Sequence, residues 1–513
     1  MVAQATPVNA AIGALRQHLE PLADLRHVSH LLVWDRETRM PARGSASRAE
    51  SLATIERIAH ERFASQDTGR LLEAAAAELD GAPPDSDDAS LVRVLRRRWE
   101  KARRVPGELA AELARAASLG ERAWVTARAE SSFASFAPYL ERNVELARRY
   151  VDCHRGVERF RCAYDVLLDD YEPELQTEAV SALFEQLKSR LVPLIATLLQ
   201  RRDEVSDACL HGSFPIAGQR RLVAEVVGRM GFQADGWRLD EAVHPMAVGL
   251  GAGDVRISTR WDESFLPSGL YAAMHECGHG LYEEGVDRAL QRTPLEHAES
   301  LGLHESQSRL WENMVGRGRA FCEYLAPRAA ELFGERSGLE PEALYRALNR
   351  VSPSLIRVEA DEATYGLHVV LRFELEQQLI EGTIAVGELP EAWNDRVQRY
   401  LGLEVPDDAR GVLQDPHWAA GMFGYFPTYA LGNMIAAQLW EQAHAELAGL
   451  ESQLSAGELT ALREWLRARV HRHGAKFTAA QLLARVVGAP ISVLPFVEYL
   501  ERKLGEIYGP VRV

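Results

Sequence analysis

Residues 275–279 read His-Glu-Cys-Gly-His, two imidazoles and a carboxylate at a spacing with chemical meaning. Each residue of an α-helix advances about 100°, so His275 and His279 project from one face within roughly 40° of each other and about 6 Å apart along the axis. Two imidazoles so placed can grip one metal ion, and Glu276 beside the first can reach a metal-activated water as its general base. Helix is the expected state, because Leu270, Met274, Cys277 and Leu281 recur at spacings of 4, 3 and 4 on an apolar flank. The competing reading of the pentapeptide alone is two partly exposed histidines on a helix surface.

A mononuclear catalytic zinc needs three protein ligands and one open position. One zinc-protease pattern places its third histidine six residues beyond the second, but Gly285 stands there. The other pattern draws a carboxylate from a following helix, and Leu-Gly-Leu-His-Glu-Ser-Gln supplies Glu305, 26 residues beyond His279. Glu296, Glu299 and His304 compete for that role, and spacing alone does not choose among them.

The elements that must hold these groups are expected to be helices. The 513-residue chain is 47% hydrophobic and 26% charged, an ordinary folded composition with ample core. A net charge of −16 argues against nucleic-acid binding, which relies on basic residues neutralising phosphates. The basic residues are arginine except for Lys101, Lys188, Lys476 and Lys503, so no single arginine is informative by itself. Cys153, Cys162, Cys209, Cys277 and Cys322 are odd in number and scattered, unlike a disulfide framework. With no signal-like N-terminus and no apolar run of 18 residues, a soluble cytoplasmic protein that engages no membrane is expected.

Along the chain, Pro41 and Gly44 predict a loop before a helix from about Ser47, and residues 81–90 (GAPPDSDDAS) predict an exposed, non-helical connection. The basic run that follows (LVRVLRRRWEKARR) reads as a solvated helix face with local ion pairs. Val180, Leu183, Phe184, Leu187 and Leu191 give an amphipathic helix. Residues 237–261 alone change texture: Trp237 and Leu239, then Val255 and Ile257, with glycines at 249, 251 and 253, predict two short strands joined by a flexible loop. The class is mainly α with a minor sheet, as one continuous unit over residues 1–513.

Two constellations follow the metal motif. Ser352 with Pro353 predicts a helix start and Gly382 its end, placing Arg357, Asp361, Tyr365 and His368 on one stripe. Arg357 is then either half of a surface ion pair or, oriented by Asp361, a planar fork for a substrate carboxylate. Between 411 and 434, Gln414, Asp415, His417, Tyr425 and Tyr429 crowd among small and aromatic residues, which suits either stabilisation of an oxyanion or aromatic core packing.

Taken together the motifs resemble the M32 metallocarboxypeptidases, the carboxypeptidase Taq type, over nearly the whole length. HECGH fits the zinc helix, HESQ at 304–307 the third-ligand motif, IRVEAD at 356–361 the Ile/Val-Arg-x-x-Ala-Asp motif, and GVLQDPHW at 411–418 the Gly-x-x-Gln-Asp-x-His-Trp motif. Two motifs depart: His-Pro-Phe stands as His244, Pro245 and Met246, and Asp-x-Arg-x-Thr as Asp254, Arg256 and Ser258. The resemblance implies a helical, gluzincin-like fold with a deep active-site cleft, a homodimer, and release of single residues from free peptide C-termini with broad specificity. Zn²⁺ is the implied ion, one per chain, with Co²⁺ able to substitute.

The expected chemistry is metal-assisted hydrolysis, with His275, His279 and Glu305 as ligands and Glu276 as general base. Tyr425 supported by His417 is the expected oxyanion donor, with Tyr429 as its alternative. Arg357 is expected to hold the terminal carboxylate, with His244, Arg256, Asp254, Gln414 and Tyr429 contributing to substrate binding. The rivals are a helical zinc oligopeptidase that cuts internal bonds and a non-catalytic scaffold with a structural metal. The presence of Glu276 argues against the scaffold, since a structural site needs no base.

Overall fold

Apolar residues three and four apart become buried helix faces along most of the chain. Val180, Phe184, Leu187 and Leu191 are all buried on the helix Thr177–Leu199, for example. The computed structural model describes residues 10–334 and 338–510. Among these, helices dominate, as the sequence pattern predicts, and three short strands form one small sheet. The described residues group into two compact units, neither of which is contiguous in sequence. One comprises the chain up to Arg104, Ser213–Glu299 and Gly449–Leu482; the other comprises Val105–Gly212, Ser300–Ala448 and the chain from Leu483.

In the first unit the sheet has one strand more than expected. β1 (Trp237–Glu241) pairs in parallel with β3 (Val255–Thr259), and β2 (Ala247–Gly249) pairs antiparallel on β3's other edge. β2 is only Ala-Val-Gly and follows Pro245, so it offers no alternation to read. The loop from β2 to β3 turns through Gly251 and Gly253, both at positive φ. The helix Pro267–Gly285 lies over this sheet, with Leu270, Met274, Cys277 and Leu281 buried as predicted. Burying each of the larger three stabilises by about 1.5–3 kcal/mol. Gly280 permits the contact, because a Cβ there would lie 2.5 Å from the Trp237 ring and 2.9 Å from Val255.

The expected connection at 81–90 ends early. Ser86 accepts a hydrogen bond from the Ala89 N–H, and Asp87 and Asp88 occupy the first turn of the helix Asp87–Ala102. A side-chain cap and two carboxylates facing the helix dipole favour helix there, despite the turn-like composition. The basic run is only partly the solvated face anticipated: Arg96 pairs with exposed Glu73, but Arg97 and Arg98 turn to the buried Glu299, about 200 positions on.

In the second unit the predicted helix start at Ser352 is displaced. The helix runs Glu362–Glu381, with Asp361 as its cap, accepting from the Ala363 and Thr364 N–H groups, while Arg357–Glu359 forms a separate 3₁₀ turn. Asp361 also accepts from the Ser352 N–H, which holds the preceding segment outside the helix. Gly382 ends the helix at φ 78°, as expected.

Candidate metal centre

On the helix Pro267–Gly285, the His275 and His279 rings stand 4.9 Å apart, at 80° to one another, and Glu276 between them in sequence is buried. Two imidazoles one turn apart on a buried helix, with a low-exposure carboxylate adjoining, fit the nitrogen donors and general base of a zinc hydrolase. The helix is tied to the sheet where Thr259 donates its hydroxyl to the Gly269 carbonyl at 2.7 Å. On β3, Arg256 grips Asp254 with two hydrogen bonds of 2.9 Å. His244 is exposed in the turn between β1 and β2. The next residues of that turn are pinned to β3, because the Met246 N–H donates to the Ser258 hydroxyl at 2.9 Å.

In the second unit, Glu305 is buried on the helix Leu301–Arg309, with His304 half-buried beside it. Arg309 donates to Glu305 Oε1 at 2.7 Å and Ser308 to Oε2 at 3.1 Å, so the carboxylate is oriented. The helix starts where Ser300 caps the Leu303 N–H and donates its own hydroxyl to buried Glu172. Gly432, on the helix Pro427–Glu446, sits directly against Glu305. The competing acids have partners elsewhere: Glu299 pairs with Arg97 and Arg98, and Glu296 faces His27 and His297.

The two downstream constellations merge in this unit. Arg357 donates to Asp415 through Nε at 3.2 Å and Nη2 at 2.8 Å, and through Nη1 to the Tyr365 hydroxyl at 2.8 Å. Asp361, the expected orienting partner, is instead the helix cap, and Asp415 takes that role. Arg372 reaches the other oxygen of Asp415 at 2.8 Å. Burial alone would raise the Asp415 pKa, but the two guanidiniums hold it far below the usual carboxylate range. Gln414 is spent on backbone, accepting from the Arg357 N–H at 2.8 Å and donating to the Leu355 carbonyl at 3.0 Å.

His417 was expected to support Tyr425, yet its Nε2 lies 3.1 Å from the Tyr429 hydroxyl. Burial, with Arg357 and Arg372 nearby, lowers the His417 pKa to about 3, so the ring is neutral. Tyr429 in turn packs edge-on against Tyr425, whose ring centroid is 5.4 Å away. Burial and the Glu305 charge push the Tyr425 pKa up to about 12, and burial pushes Tyr429 well above its ordinary value. Both phenols therefore keep their protons.

Sequence reasoning missed Arg309, Arg372, Gly432 and Glu376. Arg309 is four residues beyond Glu305 and was readable as a helical pair, but arginine is too common in this chain to stand out. Glu376, fully buried, receives the Trp418 indole N–H at 2.8 Å and the Gly424 N–H at 3.1 Å, and so fixes the turn that presents Tyr425.

Residues 14–504 match the family model described as carboxypeptidase Taq (M32) metallopeptidase. The chain is 40% identical to thermostable carboxypeptidase 1 of Thermus thermophilus, across 98% of this chain and 99% of that protein. It is 34% identical to carboxypeptidase 1 of Bacillus subtilis, across 94% and 97%. Among solved structures, the M32 carboxypeptidase of Deinococcus radiodurans superposes with a TM-score of 0.93 at 37% identity, covering 97% of this chain and 99% of that one. With its helical fold and small three-stranded sheet, this chain belongs to the carboxypeptidase Taq (M32) family and is a metallocarboxypeptidase.

Proposed function

We propose that the protein removes single amino acids, with broad specificity, from the free C-termini of peptides, using one divalent cation held by His275, His279 and Glu305. The observation that carries the proposal is the pair of imidazoles 4.9 Å apart on one helix turn, with the buried carboxylate of Glu276 beside them. Two nitrogens and one oxygen are the donor set of a catalytic zinc with a position left for water. Zn²⁺, or Co²⁺ in its place, supplies Lewis acidity toward a carbonyl oxygen and makes adjoining water more acidic.

The chain's own groups do the rest. Glu276 takes a proton from the attacking water and delivers it to the leaving amine. Tyr425 donates its hydroxyl to the carbonyl oxygen as negative charge builds, while Tyr429, hydrogen-bonded to His417, packs against the Tyr425 ring and orients it. Arg357 holds the substrate carboxylate. Two buried guanidiniums, Arg357 and Arg372, share the single carboxylate of Asp415, and this local excess of positive charge favours an anion. Gln414 positions Arg357, and His244, Arg256, Asp254 and Tyr429 contribute to binding the peptide. The active protein is a cytoplasmic homodimer in this reading, which rests on the family resemblance and on composition.

Matched peptides with free and amidated C-termini, incubated with the zinc-loaded and cobalt-loaded protein and followed by mass spectrometry, test the activity. Stepwise loss of single residues from the free peptide alone is expected. Internal cuts or released dipeptides would identify an oligopeptidase instead. Glu276→Gln should keep its metal and lose about 10²–10⁴ in kcat; undiminished turnover would remove Glu276 from the mechanism.

A further inference from the structure

A second cluster of metal-binding side chains lies within the first unit, away from the HECGH pair in sequence and built from different residues. His27, on the helix Ala10–Thr38, and Glu296 and His297, in the segment after the HECGH helix, present two imidazole nitrogens and one carboxylate oxygen within 4.8 Å of one another. Their side chains are largely buried, Glu296 almost completely.

The tautomer of His297 is set by its other nitrogen. Nδ1 lies 2.7 Å from Glu283 Oε2, and a carboxylate at that distance holds the ring proton on Nδ1. The lone pair of the neutral ring is then on Nε2. That atom stands 3.5 Å from Glu296 Oε1, and His27 Nε2 stands 3.3 Å from the same oxygen. Neither imidazole nitrogen makes a hydrogen bond, though both are shielded from solvent. A direct N–H···O bond closes to about 2.9 Å. Ligands on a tetrahedral ion with arms of about 2.1 Å stand roughly 3.4 Å apart. The two oxygen–nitrogen separations match the tetrahedral edge, and the ligand atoms all lie within 4.8 Å of one another.

The surroundings are shaped to the cluster. Glu296 Oε2 accepts the Arg292 N–H at 2.7 Å, which leaves Oε1 to face the histidines. Arg292 makes that bond from φ 57°, a left-handed conformation disfavoured for a residue with a side chain. The β2–β3 hairpin walls the cluster with glycines. A Cβ on Gly249 would lie 2.9 Å from Glu283 Oε2, and one on Gly251 would lie 3.2 Å from the His27 ring. The charged side chains acting on His297 are Glu283, Glu296 and Arg26, two negative against one positive.

We infer that His27, Glu296 and His297 form a second cation site, which takes a borderline divalent transition metal such as Zn²⁺ or Co²⁺, with Glu283 orienting the His297 ligand. Occupation ties three pieces of the first unit together: the helix Ala10–Thr38, the segment after Gly285, and the HECGH helix, on which Glu283 lies one turn beyond His279.

The test is a count of Co²⁺ per full-length chain by equilibrium dialysis and elemental analysis, with Co²⁺ absorption spectra. The parent should hold two equivalents. His275→Gln/His279→Gln should retain one, still show a tetrahedral cobalt spectrum, and still gain thermal stability when Co²⁺ is added. His27→Gln/His297→Gln should hold one equivalent, and the milder Glu296→Gln serves if that double variant does not fold. A parent that holds one equivalent, or a His275→Gln/His279→Gln protein that holds none, would overturn the site and leave the cluster as an internally paired histidinium between two carboxylates. These counts are read without substrate, so they stand apart from the peptidase reading.

Discussion

Gly432→Ala is a one-carbon perturbation aimed at the proposed carboxylate ligand. A Cβ at 432 would lie 2.6 Å from Glu305 Cγ and 2.8 Å from its Cβ. Carbon atoms in contact settle at about 3.5–4.0 Å, so one partner must retreat by roughly 1 Å. Metal–ligand distances tolerate only about ±0.2 Å, so a retreat by Glu305 spoils its coordination. Misdirecting a ligand in this way lowers metal affinity about 10–100-fold, which is about 1.4–2.8 kcal/mol. If the helix Pro427–Glu446 retreats instead, overpacking costs about 1–3 kcal/mol of stability, offset by the roughly 0.5–1 kcal/mol that alanine contributes over glycine in a helix. The assay is Zn²⁺ affinity by chelator competition, run beside urea denaturation of the metal-free protein. Gly387→Ala, with no atom within 4 Å of the added carbon, is the control. Zn²⁺ affinity within twofold of the parent, together with undiminished stability, would refute the claim that this glycine makes room for the ligand.

The tyrosine pair separates by the same logic of single atoms. Tyr425→Phe should lower kcat by about 10²–10³, the loss typical of an oxyanion donor, while Tyr429→Phe should cost less, because it removes only the orienting link from His417; the reverse order in steady-state kinetics would exchange the roles. Asp415→Asn should destabilise by about 3–5 kcal/mol, since it leaves the Arg357 and Arg372 guanidiniums without their shared counter-charge; a loss below about 1 kcal/mol in urea titrations would show that the cluster is not a buried ion network. Burial raises the Glu376 pKa to about 7 despite the hydrogen bonds from Tyr164, Gly424 and Trp418. The folded state then binds this proton more tightly than the unfolded chain, whose carboxyl titrates near about 4.3. Its contribution to stability is complete below that value and is lost as pH rises through 7, so the parent should lose a few kcal/mol relative to Glu376→Gln between about pH 4 and 8. A stability difference that stays flat over this range would place the Glu376 pKa at its ordinary value.

Local periodicity and covalent spacing carried the legible part of the molecule. The HECGH helix, the Gly382 stop and the helical class depend on residues within a few positions of one another, so a single chain displays them. The partners of the site residues depend on distant stretches. Arg357 meets Asp415 across 58 positions, and nothing near Arg357 marks that choice over Asp361, which is four residues away and chemically equivalent. The Asp361 carboxylate is taken by backbone N–H groups at a helix start, and sequence spacing cannot weigh that competition. Gly432 was legible as a glycine but not as the space that Glu305 occupies. β2 escaped because three residues on one edge of a sheet need no alternation when β3 supplies the pairing.

The two departures from the family motifs, Met246 and Ser258, are distant in the chain and adjacent in space. The Ser258 hydroxyl accepts the Met246 N–H at 2.9 Å and donates to the Met246 carbonyl at 3.3 Å, while the Ser258 N–H donates to that same carbonyl at 2.9 Å. A threonine at 258 could supply the same hydroxyl, so the turn after His244 keeps its tether to β3. What differs is apolar bulk, a methyl at 258 and an aromatic ring at 246, removed from one turn. A methionine there is flexible where phenylalanine is rigid, and it adapts to shapes that a ring would exclude. If this turn lines the proposed substrate cleft, the change bears on which side chains it accepts, while Met246 stays tied to β3 by both the Ser258 hydroxyl and the Ser258 backbone N–H.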